Sequence, residues 1–384
     1  MSDRRLFWLR VLSLVGAAFT AVVILAGAWT RLLDAGLGCP DWPGCYGNFM
    51  VPDADQALRH SPDSPLDATK AWMEMIHRYL ASGLGLLVVS LLVIAWPHRR
   101  RQGMPWRQML LLFAVLMVQG AFGAYTVTLK LWPQVVTLHL LGGLSVMSLF
   151  VWLHLRLRRL ARGQGVGAAR RPGRVLTIAL LLLVMQLALG GWTSSNYAGL
   201  ACQGFPTCNT QWWPETDWGE GFHLTQAVGP TYLHGALHAE ARTTIHLAHR
   251  LGAGLLGIAL MVVVVCYWRR REMRPWLASL AAALLLQVAL GVANVLWWLP
   301  LGLALLHTAG AVLLVFTFTL VVWKQRYSTA VVVRQRRPTS LVLAVDDLDA
   351  DRRRVGSAGS LIPSRSGQDV GSEPQRKKRG WLHA

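Results

Sequence analysis

Apolar residues run along this chain in unbroken blocks rather than at alternating or amphipathic spacing. Blocks at 11–28, 84–96, 110–124, 175–189, 255–267 and 301–322 approach or reach the roughly 20 residues that cross a hydrocarbon core about 30 Å thick. Two more, 135–153 and 276–298, bring the set to eight. The pattern predicts an all-α integral membrane protein with eight transmembrane helices. The first block has basic flanks, but Trp29-Thr30-Arg31-Leu32 follows it without a small-residue cleavage signal, so it reads as a retained helix and not a signal peptide. After about residue 334 the chain is rich in Arg, Ser, Gly and Asp with no sustained apolar period, and residues 331–384 are expected to form a disordered, basic cytoplasmic tail.

What separates the blocks fixes their orientation. Hydrophobic residues make up 53% of the 384 positions and charged residues 15%, which excludes a soluble protein; the formal net charge of +19 admits a nucleic-acid partner until the placement of the arginines is considered. Arg4, Arg5 and Arg10 precede the first segment, Arg99, Arg100, Arg101 and Arg107 join the second and third, residues 156–174 carry a basic cluster, and Arg269, Arg270, Arg271 and Arg274 join the sixth and seventh. These alternate connections belong in the cytoplasm with both termini, so topology and not nucleic acid accounts for the charge. The long loops at 31–73 and 195–244 fall on the other side, which in the inner membrane of a bacterium is the periplasm.

The two halves repeat with a period of about 165 residues, the size of a duplicated four-helix unit. Trp29-Thr30 matches Trp192-Thr193, Gly36-Leu37 matches Gly199-Leu200, and Cys39, Pro43 and Cys45 match Cys202, Pro206 and Cys208. Gln119-x-Ala121-x-Gly123 matches Gln287-x-Ala289-x-Gly291, His139 and Gly142 match His307 and Gly310, and Glu74-x-x-His77-Arg78 lines up with His246-x-x-His249-Arg250. Each half has an even number of helices, so the expected architecture is two parallel, pseudo-symmetric four-helix bundles, 1–160 and 161–330.

Ionisable residues within membrane segments are costly and usually mark function. His77, His139, His249 and His307 fall near the outer ends of the even-numbered segments, two per half and at equivalent repeat positions. Facing imidazoles on neighbouring helices are suited to axial ligation of heme iron, and Gly83, Gly85, Gly142, Gly143, Gly252, Gly254 and Gly310 leave room for a flat macrocycle. The alternative for any single histidine is a hydrogen bond across helices; four at matched depth favour ligation. Glu74 stands one turn from His77, where a carboxylate can accept protons or balance developing positive charge; an interfacial ion pair is its plainer reading. His246 occupies the same place in the second half. Arg78 and Arg250 are candidates for pairing with heme propionates or for snorkelling to the headgroups.

Cys39 with Cys45 and Cys202 with Cys208 form two Cys-x5-Cys pairs in the outer loops. Thiols at this spacing are able to bind a metal, but an oxidising compartment and the lack of a neighbouring zinc-spaced ligand favour a disulfide within each loop. Cys266, inside the sixth segment, reads as a buried small hydrophobe.

The run Thr30-Arg31-Leu32-Leu33-Asp34-Ala35-Gly36-Leu37-Gly38-Cys39-Pro40-Asp41-Trp42-Pro43-Gly44-Cys45, followed in order by Glu74-Met75-Ile76-His77-Arg78, Thr137-Leu138-His139, the second cysteine pair, His246-Leu247-Ala248-His249-Arg250 and Leu306-His307, resembles the heme A synthase family, in the form with cysteine pairs in both halves. The resemblance spans about residues 29–323 and implies an eight-helix enzyme with a bis-histidine heme site in each half. His77 and His139 would flank the substrate heme O, His249 and His307 would ligate heme B as axial iron ligands, and Glu74 would be the catalytic carboxylate. The reaction implied is stepwise oxidation of the C8 methyl of heme O to a formyl, giving heme A for cytochrome c oxidase. The partners implied are heme O, membrane lipid, heme O synthase (the protoheme farnesyltransferase) and cytochrome oxidase assembly factors, with room for a homo-oligomer. The stretch 219–240 and the basic tail have no match in the family pattern.

A diheme b-type electron-transfer cytochrome is the main rival, because bis-histidine pairs in a bundle also serve relay. Glu74 and the unequal halves speak against it. A repeat-built transporter would place broken helices and polar groups at the midplane, whereas these residues cluster at the outer ends.

Overall fold

The computed structural model describes residues 3–164, 171–228 and 231–327; the expected tail lies outside the described residues. The helices are α1 (Asp3–Leu32), α2 (Ala54–His60), α3 (Ala68–Ala95), α4 (Trp106–Thr128), α5 (Pro133–Ala161), α6 (Arg174–Ser195), α7 (Trp218–Gly221), α8 (Ala239–Trp268), α9 (Arg274–Leu296) and α10 (Leu301–Tyr327). Eight of them, all but α2 and α7, are long and apolar enough to cross a membrane, and the described residues contain no strand.

The largest departures from the hydropathy blocks are at α3 and α8, which begin 16 residues before the apolar runs at 84–96 and 255–267. The added turns carry Lys70, Glu74, His77 and Arg78 in α3 and Glu240, Arg242, His246, His249 and Arg250 in α8, so they read as polar although the backbone there is helical. Asp67 caps α3 by accepting from the Lys70 N–H, an N-terminal stop that the apolar run cannot reveal. Pro133 and Pro275 sit in the first turns of α5 and α9, where a missing N–H costs no helical bond.

In the first four spanning helices, α1 packs on α3 and α5, and α4 on α3 and α5. In the next four, α6 packs on α8, α8 on α9, and α9 on α10. Contacts of α5 with α6, and of α10 with α1 and α5, join the two sets. One apolar cluster, with Phe150, Leu91, Leu112 and Leu153, fills the first set; a second, with Leu183, Leu260, Leu280 and Phe318, also takes in Ile24, Leu144 and Met147 from α1 and α5. Leu86, Ile258 and Leu285 remain about two-thirds exposed, a face suited to lipid and not to water, and Cys266, expected to be buried, is exposed as well because its place on α8 is not covered by a neighbouring helix.

The loops between α1 and α3, α4 and α5, and α6 and α8 meet at one end. The Tyr197 hydroxyl donates to Asp34 at 2.7 Å, the Tyr232 N–H to the Lys130 carbonyl at 3.0 Å, and the Gln134 amide to the Leu224 carbonyl at 3.0 Å. Burial raises the Tyr197 phenol above its ordinary range. Local features recur between the loops: left-handed backbone at Asp34 and Tyr197, and at Lys130-Leu131 and Trp298-Leu299, and single bridges Cys45 to Asn48 and Cys208 to Gln211.

Gly16 of α1 lies directly under the Phe150 ring, and a Cβ there would collide with it, whereas nothing stands within 4 Å of a Cβ built on exposed Gly120. Gly16→Leu is therefore expected to overpack the α1–α5 contact and cost about 1–3 kcal/mol or more, while Gly120→Leu leaves stability unchanged. Thermal unfolding of the two purified variants in detergent checks the difference.

Candidate functional site

His77 lies nine residues into α3 and His249 ten into α8; His139 and His307 each lie six residues into α5 and α10. At 1.5 Å per residue this places the rings about 9–15 Å inside the helix starts. Each ring rests against a glycine on the preceding spanning helix. Ideal Cβ positions on Gly27, Gly123, Gly190 and Gly291 would stand 2.7, 3.2, 3.3 and 3.1 Å from Cε1 of His77, His139, His249 and His307 respectively. The glycines expected to clear a macrocycle do other things: Gly83 and Gly143 face Phe19 and Ile24, and Gly142, Gly252 and Gly310 meet glutamine side chains. Gly85 and Gly254 have open space beside them.

Those glutamines are the residues that the sequence reading passed over. The Gln119 amide nitrogen is 3.0 Å from His139 Nδ1 and donates to the His139 carbonyl; that of Gln186 is 3.0 Å from His249 Nδ1 and 3.0 Å from the His249 carbonyl; that of Gln287 is 3.3 Å from His307 Nε2. The signal was present as Gln-x-Ala-x-Gly at 119–123 and 287–291, and a third copy at 186–190 completes it.

His77 and His139 face one another with ring centroids 6.4 Å apart and planes at 83°. Two imidazoles on one metal, each through a bond of about 2 Å, have centroids about 6 Å apart, so the first pair fits an axially ligated iron. The buried His77 Nδ1, His307 Nδ1, Gln186 Oε1 and Gln287 Oε1 lack hydrogen-bond partners among the described residues. Orphaned polar atoms around histidines in an apolar bundle fit sites made for a further group.

Glu74 is 4% exposed, and both oxygens of its carboxylate accept hydrogen bonds. Oε2 accepts from the Cys39 N–H at 3.0 Å and Oε1 from Arg78 at 2.5 Å. His246, its counterpart in α8, is 5% exposed, and its Nδ1 has no partner among the described residues.

The two arginines beside the histidines hold the outer loops. Arg78 donates to the carbonyls of Asp41, Pro43 and Gly44, and Arg250 to those of Cys202, Gly204 and Thr207. Within those loops the sulfurs of Cys39 and Cys45, and of Cys202 and Cys208, are at bonding distance. Gly38 lies against the Lys70 and Ala71 backbone, where a Cβ would come within 2.6–2.8 Å, so the loop reaches Glu74 only with glycine at that position. No group of three or more metal-binding His, Cys, Asp or Glu side chains occurs among the described residues.

The family model COX15-CtaA, cytochrome oxidase assembly protein, matches residues 10–319. The chain belongs to this family. Among its relatives, a heme A synthase of Shewanella oneidensis is 41% identical over 333 residues, covering 85% of this chain and 99% of the relative. One from Rhizorhabdus wittichii is 30% identical over 325 residues, 78% of this chain and 89% of the relative, and one from Caulobacter vibrioides is 28% identical over 343 residues, 82% and 95%.

Arg78→Ala would leave a buried carboxylate without its cation, a loss of about 3–5 kcal/mol. Arg250→Ala removes only bonds to neutral carbonyls and is expected to cost about 1–3 kcal/mol. Adding Glu74→Gln should recover part of the first loss. Thermal unfolding of the three variants reads the order.

Proposed function

We propose that this membrane enzyme is a heme A synthase that takes up heme O in its first four spanning helices and oxidises the C8 methyl to a formyl, with a resident heme B in the next four. The observation that carries the reading is the facing His77–His139 pair beside buried Glu74, in a chain similar over nearly all of its membrane region to proteins named heme A synthase. The matching loops, glycines and glutamines in the two halves support two pseudo-symmetric four-helix bundles. Alternation of the basic connections supports cytoplasmic termini and periplasmic cysteine loops in the inner membrane of a bacterium. Heme O synthase and other oxidase assembly factors are the partners this role calls for, and a homo-oligomer is compatible with it.

His77 and His139 would hold the substrate, and His249 and His307 would hold heme B, which supplies one-electron redox chemistry when bound. The protein contributes orientation and charge. Glycine-lined contacts set the ring positions, and the apolar helices exclude water, which strengthens any electrostatic contact at the substrate edge. Conversion of a methyl to a formyl releases protons along with electrons. Glu74 is the buried carboxylate within one turn of a substrate ligand, and the bonds from Arg78 and from the Cys39 and Gly38 backbone leave part of its capacity to accept unused. It is assigned the proton-accepting role.

Glu74→Gln keeps size and hydrogen-bonding capacity while removing basicity. Cells with this variant as their only copy are expected to retain heme B in the purified protein yet make less than about a tenth of the normal heme A, with heme O or a hydroxylated intermediate accumulating. Chromatography of extracted hemes is the measurement, and near-normal heme A would remove Glu74 from the chemistry. His77→Ala should abolish heme A but leave a low-spin heme spectrum in reduced membranes. An intact heme B spectrum in His249→Ala would reverse the assignment of the halves, and heme B as the sole heme in the wild-type protein would point to an electron relay.

A further inference from the structure

A heme carries two carboxylates as propionates, and a membrane bundle constrains where they lie as closely as it constrains the iron. From His77, α3 runs 18 residues further to Ala95, and α5, α8 and α10 run as far or farther beyond His139, His249 and His307. That is about 27 Å of helix, where Leu84 and Leu91 in the first half and Leu256 and Leu260 in the second are buried in apolar clusters. Carboxylates left unpaired inside such a stretch are too costly to keep ionised. They must point the other way, toward the loop end, where the histidines lie only six to ten residues from the helix starts.

Most cations at that end are already engaged or stand in solvent. Arg31 is taken by Asp34 and the Ser194 carbonyl, and Arg78 and Arg250 by the carbonyls of the cysteine loops. Arg59 of α2 and Lys130 after α4 are exposed. Lys70 and Arg242 remain. Each is half-buried, and neither side chain takes part in an ion pair or hydrogen bond among the described residues, where Arg242 Nε is buried without a partner. Lys70 lies seven residues before His77 and Arg242 seven before His249, so each stands two turns, about 10 Å, outward on the face of the helix that carries the histidine. The two occupy equivalent places in the repeat, and each meets its cysteine loop. Gly38 lies against the Lys70 backbone, and Thr243, next to Arg242, donates to the Ala201 carbonyl. Trp132 stands seven residues before His139, and its buried Nε1 has no partner among the described residues.

We infer that Lys70 and Arg242 are the counter-ions for the propionates of the hemes in the first and second halves, with the Trp132 indole as a further donor in the first. This rests on the proposed heme sites. In heme O the C8 methyl shares a pyrrole ring with one propionate, so a carboxylate held at Lys70 keeps that methyl toward the outer end. Glu74 stands on that side, three residues outward of His77. The cation thereby selects which methyl meets the carboxylate, while the imidazoles hold only the iron.

Heme B and its dimethyl ester, in which both propionates are uncharged, are the probes. Full-length purified protein is loaded with the ferric form of either and mixed with excess apomyoglobin, and the rate of heme loss is read. His77→Ala confines the measurement to the second half and His249→Ala to the first. In both backgrounds the ester should leave about tenfold faster than heme B, the preference expected for a charge-assisted contact. Arg242→Met in the first background and Lys70→Met in the second should speed heme B loss by about tenfold and leave the ester rate unchanged. Trp132→Phe should shrink the first-half preference by about threefold, and Arg59→Met should leave it intact. A preference that survives in Arg242→Met or Lys70→Met would overturn the inference and return those cations to the outer headgroups. Equal acceleration of both probes, the mark of a purely structural role, would overturn it too, as would the same loss of preference in Arg59→Met. Absence of a low-spin heme spectrum from both single-histidine variants would instead remove the heme sites themselves.

Discussion

A polar group inside a bilayer has no water to turn to, so each one carried across the hydrocarbon core must be met by another protein group or by a ligand. The arrangement of this protein follows from that demand. Three glutamines are placed where they reach three histidines, glycines stand where the rings and carboxamides need room, and the two arginines next to the histidines reach back to loop carbonyls. Main-chain groups of the helices satisfy one another, which leaves the side chains as the only polar groups in need of a partner. Among the described residues, the atoms left without a partner include His77 Nδ1, His307 Nδ1, Gln186 Oε1 and Gln287 Oε1, where a heme would lie.

The halves are alike in frame and unlike in detail. Glu74 ties the first cysteine loop to α3 through the Cys39 N–H, while His246 at the matching position meets the Ala198 backbone instead, and the second loop is held further by Arg250 and by Thr243, which donates to the Ala201 carbonyl. A carboxylate therefore couples the loop nearest the first histidine pair to the proposed chemistry, so that the same group serves as loop anchor and as candidate proton acceptor. Equivalent residues also meet across the repeat: Asp34 accepts from Tyr197, and Arg31 donates to the Ser194 carbonyl. The unmatched stretch 219–240 adds to this junction through Leu224 and Tyr232, which bond to Gln134 and Lys130 of the first half, and through Gly221, whose carbonyl accepts from the Trp192 indole. Its place in the molecule is a brace across the outer ends of the helices.

Arg78 and Arg250 show how a reading by residue type alone stops short. A cation beside a heme ligand suggests a propionate partner, but the loop carbonyls are already within reach of both guanidinium groups, and their fixed fork of donors matches several carbonyls at once. Neither headgroups nor propionates are needed to explain why these side chains are buried.

The number of spanning helices and their order were legible in the sequence, because burial in lipid demands long apolar runs, and the histidines stood out there because an ionisable residue near such a run is conspicuous. The true starts of α3 and α8 were not, since their first turns are polar where they support the site and hydropathy cannot tell such turns from loop. Gln119, Gln186 and Gln287 were likewise visible as letters but silent as chemistry: an uncharged amide in an apolar helix has many possible partners, and only packing one helix on the next decides which one it meets. The separation of His77 from His139 and the engagement of Glu74 by Cys39 and Arg78 acquire meaning from contacts between residues far apart in the chain. Local sequence sets what each helix is able to present; tertiary packing alone sets what each side chain finds opposite it.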